Sequence, residues 1–180
     1  MNNHFSRQGS ARVRFLAEAE GIAALYTVLT YAAVAVNLAY GPIQFRFSEA
    51  LTILPVFTPA AIPGLTLGCF LSNLASPLGV VDWVFGTLAT LLGAVFTYLL
   101  RNIRFRGLPV LAALPPVIAN TVVVGFEVSC LSDIGFAWQN FSWAAFGAGA
   151  LSVGLGELVV CVVLGLPLFV LLKRGGFQSA

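Results

Sequence analysis

Charge is what this sequence has least of. Nine of its 180 residues are Lys or Arg and seven are Asp or Glu, so 9% are charged, where a soluble domain carries about a quarter. Histidine is nearly absent: His4 stands alone in the polar N-terminal stretch. With one histidine, no Ser/His/Asp or Cys/His constellation can be assembled. The three cysteines (Cys69, Cys130, Cys161) are odd in number and have no metal-ligand spacing, so they read as free and structural. No G-x-x-x-x-G-K-[ST] loop appears, which with the short length excludes a fused ATPase. No basic stripe points to nucleic acid.

Apolar residues fill the space that charge leaves. They make up 59% of the chain, alongside 18 Gly and 9 Pro, and mean hydropathy is +0.95. A membrane-spanning helix needs roughly 20 apolar residues, so 180 residues hold about six spans with their turns. The fold expected is an all-α integral membrane protein, a six-helix bundle. Residues 1–20 form a polar N-terminal tail, 21–172 the membrane domain and 173–180 a short C-terminal tail. A cleaved signal peptide competes for the first apolar run, Gly21–Tyr40, but that run is too long for one and further apolar segments follow. Gly41-Pro42-Ile43 reads as a turn into a short second segment, Ser48–Phe57. The third span runs through Gly64–Ser76, the fourth through Val80–Leu100, the fifth through Pro109–Cys130 and the sixth through Trp143–Leu172. The polar-aromatic loop Leu131–Ser142 separates the last two.

The ten-residue second segment is short, roughly 15 Å as an α-helix. If it crosses, eight of the nine basic residues fall on one side: Arg7, Arg12 and Arg14; Arg101, Arg104 and Arg106; Lys173 and Arg174. That is the cytoplasmic signature of the positive-inside rule. Both termini are therefore expected in the cytoplasm of a multi-pass cell-membrane protein. Tyr26 and Tyr98 then fall near the inner interface, and Tyr40, Trp83, Trp138 and Trp143 near the outer one. No inverted repeat is visible, which weighs mildly against a self-sufficient secondary transporter.

Small residues recur at helical spacing: Gly64, Gly68, Ser72 and Ser76 in the third span, and Ala145, Gly149, Ser152 and Gly156 in the sixth. Both stripes read as internal packing in lipid. Ala19 and Ala23, at the cytoplasmic start of the first span, present a similar face that a partner helix can use. Intramembrane polar residues are costly and mark function by default. Glu157 lies mid-span in the sixth helix, Asn120 in the fifth with Glu127 two turns further out, and Asn73 toward the end of the third. Arg46 and Glu49 read as an i,i+3 pair at a helix start, and Asp82 as an interfacial N-cap. Glu127 and Glu157 have no such simple reading, since Arg46 is the one Lys or Arg outside the cytoplasmic sets.

The run Ala24-Leu25-Tyr26-Thr27-Val28-Leu29-Thr30, then Gly41-Pro42-Ile43-Gln44-Phe45-Arg46-Phe47-Ser48-Glu49-Ala50-Leu51, resembles the QueT family. So do Phe57-Thr58-Pro59-Ala60-Ala61-Ile62-Pro63-Gly64, Gly68-Cys69 and Asp82-Trp83-Val84-Phe85-Gly86-Thr87. The resemblance is densest over residues 24–100; beyond that it rests mainly on the placement of Glu127 and Glu157. It implies a substrate-binding S component of an energy-coupling-factor importer for queuosine precursors. Such a subunit is not an enzyme, needs no cofactor or metal, and works with a transmembrane scaffold subunit and two ATPases. The family commonly docks its scaffold through a small-residue face on the first helix, here Ala19 and Ala23.

A 7-deazaguanine presents adjacent N–H donors and a carbonyl acceptor. One carboxylate accepts the first and an amide side chain serves the second. Glu127 and Glu157 are the acceptor candidates, with Glu127 favoured as nearer the outer mouth. Gln44, Asn73 and Asn120 are the amide candidates, Arg46 and Glu49 line the same region, and Trp138 or Trp143 is the stacking lid. Two other classes stay open on the sequence. One is a proton-coupled secondary transporter using Glu157; the other is a small intramembrane enzyme with Glu127 and Glu157 as acid and base. The topology has a direct check. With Gly107→Cys, a membrane-impermeant thiol reagent is expected to label only from the cytoplasmic side, and with Gln139→Cys only from outside. Labelling of the first from outside contradicts six spans.

Overall fold

The computed structural model describes residues 2–39, 44–132 and 135–178. Helix α1 runs unbroken over Asn2–Ala35 and is closed by Asn37, which adopts a left-handed φ of 56°. The Leu38 amide bonds the Ala33 carbonyl at 3.0 Å and the Asn37 amide that of Val34 at 2.9 Å. This paired capping turn is one that asparagine supports without a glycine. The tail thus continues as helix into the first apolar run. The turn expected at Gly41-Pro42-Ile43, and Tyr40 with it, lies outside the described residues.

The short second segment is a 3-10 helix, Phe47–Val56. A 3-10 helix rises about 2.0 Å per residue against 1.5 Å for an α-helix, so ten residues reach about 20 Å rather than 15. That geometry carries the chain back along α1. Thr30 at one level bonds Ser48, 2.7 Å apart, and Glu18 at the other accepts from Thr58 at 3.0 Å. The Arg14 guanidinium, first, and the Thr58 hydroxyl, second, hold the Glu18 carboxyl below its ordinary value. A depressed carboxyl contributes stability above its unfolded pKa and loses it as pH falls, so this tie holds at neutral pH and loosens in acid.

Helix α2 (Ala61–Asn73) runs parallel to α1. Helix α3 (Val80–Leu99) returns, α4 (Leu114–Ser129, after a 3-10 turn Val110–Ala113) runs outward, and α5 (Trp143–Leu158) returns again. A π-helical turn, Val159–Leu164, joins α5 to α6 (Gly165–Arg174) in one rod. Pro167 lacks the N–H that would bond Val163 four residues back, which suits a widened turn there. A two-residue antiparallel hairpin, Leu131–Ser132 with Gly135–Phe136, stands between α4 and α5. Among the described residues, three stretches are long and apolar enough to cross a membrane: Val80–Leu99, Val110–Ser129 and Trp143–Arg174. The 3-10 segment and α2 are shorter apolar helices.

Alternating helix directions give the bundle two distinct ends. At one, Phe57 stacks on Phe169, Phe177 packs edge-on against Phe57, and Arg104 lies over the Phe169 ring. Arg14, Arg101, Arg104, Arg106, Lys173 and Arg174 belong to this basic end. The other end carries the hairpin and a run of packed rings: Phe85, Phe126, Phe136, Trp138, Phe141 and Trp143. A cavity of about 700 Å³ opens at the basic end between Glu18, Leu25, Leu54, Thr58 and Leu172.

Helix α1 meets α2 backbone to side chain. A Cβ added at Gly64 would lie 2.7 Å from the Ala19 carbonyl oxygen, and one at Gly68 2.8 Å from that of Ala23. Ala19 and Ala23, expected to dock a partner, therefore face α2 inside the bundle. Ala19, Ala23, Tyr26, Thr30 and Ala33 form one continuous buried stripe on α1, so the face is already occupied. Tyr26, expected near the inner interface, is fully buried in it. Substitution of Gly68 by Ala is expected to cost about 1–3 kcal/mol by overpacking. Gly147→Ala, where nothing lies within 4 Å of the added methyl, should be neutral or better. Thermal unfolding in detergent measures both; equal midpoints would contradict the close contact.

Candidate functional site

Residues 44–46 carry the chain from α1 deep into the bundle. A Cβ at Gly156 of α5 would overlap the Gln44 carbonyl oxygen, so the backbone can pass at this depth because position 156 is glycine. The Phe45 amide bonds the Leu38 carbonyl at 2.9 Å. Together these contacts place Arg46 inside, with its side chain 10% exposed and Nη2 3.8 Å from Asp82 Oδ2, itself fully buried. The sequence pairs Arg46 with Glu49 and makes Asp82 a helix cap; the structure keeps Glu49 within the electrostatic reach of Arg46 but adds Asp82 as an ion-pair partner, and it differs on the cap. Arg46 reaches across to α3, and Gly79 occupies the cap position of that helix.

Four carboxylates surround this one guanidinium. Glu49, Asp82, Glu127 and Glu157 all lie within its electrostatic reach. Asp82 is also close to Glu127, and Glu49 to Glu157, so Arg46 stands between two acid pairs. Glu49 Oε1 accepts a short hydrogen bond from the Tyr26 hydroxyl, while Oε2 has no partner among the described residues. Cys161 Sγ points at Glu157 Oε2 from 3.4 Å, one turn along. The helix widens into its π turn directly after Glu157, a distortion often found at functional positions.

Asp82 has no hydrogen-bond donor to either carboxylate oxygen among the described residues, only its 3.8 Å ion pair with Arg46. Glu127, also 0% exposed, has neither a donor nor such a pair among the described residues. A carboxylate removed from water without donors is heavily penalised, so a proton or a ligand group has to complete it. Asn120, two turns earlier on α4, sits beside Glu157; its amide nitrogen is buried without a well-formed hydrogen bond.

The remaining expected residues divide. Gln44 contributes its backbone to the Gly156 contact and is half-buried. Asn73 donates to the Asp82 carbonyl at 3.0 Å and approaches Cys69 Sγ at 3.5 Å. Its amide nitrogen therefore fastens α2 to α3. Trp138 and Trp143 stand at the hairpin end, 65% and 77% exposed. Trp138 packs on Phe126, the neighbour of Glu127, at 5.6 Å. The cysteines are free and buried. Sequence reasoning missed Tyr26 and Cys161 as partners of the acids. The 4-3-4-3 spacing of Ala19, Ala23, Tyr26, Thr30 and Ala33 was the signal for the first.

A family described as QueT transporter matches residues 16–174. A queuosine precursor transporter QueT from Lactococcus lactis subsp. cremoris (strain MG1363) is 43% identical over 70 residues. That alignment covers 39% of this chain and 41% of the relative, well under half of its length. No solved structure matches significantly.

The buried ion pair makes a testable claim. Arg46→Gln leaves the acids without their cation and is expected to destabilise the chain by about 3–5 kcal/mol. Asp82→Asn added to it should recover part of that loss. Equal, additive losses in a double-mutant cycle would show that the two side chains do not interact.

Proposed function

The chain belongs to the QueT transporter family, and on that premise we propose that it is the membrane-embedded substrate-binding subunit of an energy-coupling-factor importer. Its substrate is a queuosine precursor, a 7-deazaguanine such as preQ0, preQ1 or the queuine base. The chain crosses the cell membrane six times, with the basic end and both termini in the cytoplasm and the hairpin end outside. Gathering of the Arg and Lys sets at one end of the bundle supports this orientation. Energy comes from partners, a transmembrane scaffold and two ATPases. Because the small-residue face of α1 is covered by α2, the scaffold meets another surface.

One observation carries the reading: a set of carboxylates buried between the bundle centre and the hairpin end, with Glu127 lacking a hydrogen-bond donor among the described residues. Such a set suits a small polar solute rich in N–H groups. A guanine edge brings two adjacent N–H donors to a carboxylate and a carbonyl oxygen to an amide. Glu157 and Asn120, side by side, offer that complement, and Glu127 offers a second acceptor. Arg46 moderates the repulsion among the acids. The exposed Trp138 and Trp143 side chains near the entrance each offer an aromatic face on which a base stacks. A ligand without the N–H edge leaves buried acceptors unpaired, the strongest source of discrimination in such a site.

Glu127→Gln and Glu157→Gln keep the shape but replace one acceptor oxygen with an NH₂ donor. Loss of a charge-assisted hydrogen bond costs about 1.5–3 kcal/mol, or about tenfold to hundredfold in affinity. At least one variant is expected to show that loss by calorimetry with a deazaguanine while ligand-free thermal stability is kept. Wild-type affinity in both variants would place the binding site elsewhere.

A further inference from the structure

The cavity at the basic end lies apart from the acids. It is a groove of about 700 Å³ between α1 and α6, floored by the 3-10 segment. Ile22, Leu25, Leu51, Leu54, Leu168 and Leu172 wall its apolar length, and its mouth carries Arg14, Glu18 and Gln178. From Arg14 to Leu25 is eleven residues of α1, about 16 Å at 1.5 Å per residue. One leaflet of a bilayer with a hydrocarbon core about 30 Å thick is about 15 Å deep. The groove therefore has the depth of one leaflet, charged at the interface and apolar toward the midplane. Among the described residues no glycine, alanine or serine lines its apolar part, whereas membrane helices approach one another at small residues. Those of α1 are spent on α2. An acyl chain fits such walls better than a partner helix does.

The mouth has the charge to select a headgroup. Arg14 gives Nε to Glu18 at 2.9 Å, and its two terminal NH₂ groups make no hydrogen bond among the described residues. Lys173 and Arg174, next to the lining Leu172 and Gly175, are exposed and form no ion pair among the described residues. Three cations thus stand around one carboxylate, which is already held by Arg14 and the Thr58 hydroxyl. The open edge of a guanidinium matches the paired oxygens of a phosphate diester. We propose that this groove holds one anionic phospholipid, with an acyl chain along Leu25 and Leu54 and its phosphate on Arg14. A zwitterionic lipid fits the walls equally but brings an ammonium to a mouth that is already cationic. The lipid site is separate from the solute site and does not depend on which solute is carried.

Native mass spectrometry of the full chain, extracted into detergent from vesicles of equal parts phosphatidylglycerol and phosphatidylcholine, reads the lipid retained. One phosphatidylglycerol per chain is expected, and little phosphatidylcholine. Titrated with phosphatidylglycerol, Arg14→Gln should bind about fivefold more weakly, the yield of one cation at an anionic surface. Arg14→Lys keeps the charge and should restore most of that affinity, which separates charge from a folding defect. Glu18→Gln should bind more tightly than the wild type, because it removes the anion beside Arg14. Leu25→Trp alters an exposed residue and no charge; its bulk should displace the acyl chain and lower retention. Equal retention of the two lipids marks an unselective lipid annulus and overturns the inference, as does phosphatidylglycerol held equally by the wild type, Arg14→Gln and Leu25→Trp. Weaker binding by Glu18→Gln overturns it too. Loss of the copurifying scaffold from Leu25→Trp with lipid retention intact would assign the groove to a partner helix and likewise overturn it.

Discussion

One arginine side chain sets the terms for the interior of this protein. Four carboxylates at membrane depth repel one another and are poorly solvated, and Arg46 is the cation placed among them. A buried ion pair is weak evidence for stability, because desolvation offsets most of its Coulombic gain. Its value here lies in position. With Asp82 on α3, Glu127 on α4, Glu157 on α5 and Glu49 in the 3-10 segment, the guanidinium is a common point for four elements. The energetic cost of holding the acids together is consistent with a site completed by a ligand rather than with a packing device.

The backbone is shaped to put that arginine there. Gly156 admits the Gln44 backbone against α5, and Asn37 turns α1 off before it would run past the site. The extended rise of the 3-10 helix lets ten residues span the depth that an α-helix of that length would miss. Gly64 and Gly68 draw α2 close to α1, which packs Tyr26 between them and brings its hydroxyl to Glu49. Each device is local, and each bears on where the acids and Arg46 sit.

Much of this was legible in the sequence, because composition and charge placement act through simple physics. Sparse charge and long apolar runs gave the helical membrane class. The basic clusters do gather at one end, and Glu127, Glu157, Asn120, Arg46 and Glu49 do come together. The errors have physical causes. The i,i+3 spacing that couples Arg46 to Glu49 does not show Asp82; the segment starts after Arg46 and winds as 3-10, and the guanidinium also reaches Asp82 on α3. Asp82 looked like a cap because it lies near a helix start, yet burial on the inner face makes it a counter-ion. Asn73 looked available as a ligand amide, but the short turn into α3 uses its NH₂ on the Asp82 carbonyl. Ala19 and Ala23 looked like a docking face because a small-residue stripe does not say which helix covers it; the partner proved to be α2.

The most direct test of the account is a structure of the chain bound to a 7-deazaguanine. The account expects ligand density among the start of the 3-10 segment, α4 and α5, within hydrogen-bond distance of Glu127 and Glu157. Density instead in the cavity at the basic end, against Glu18 and Thr58, would contradict it.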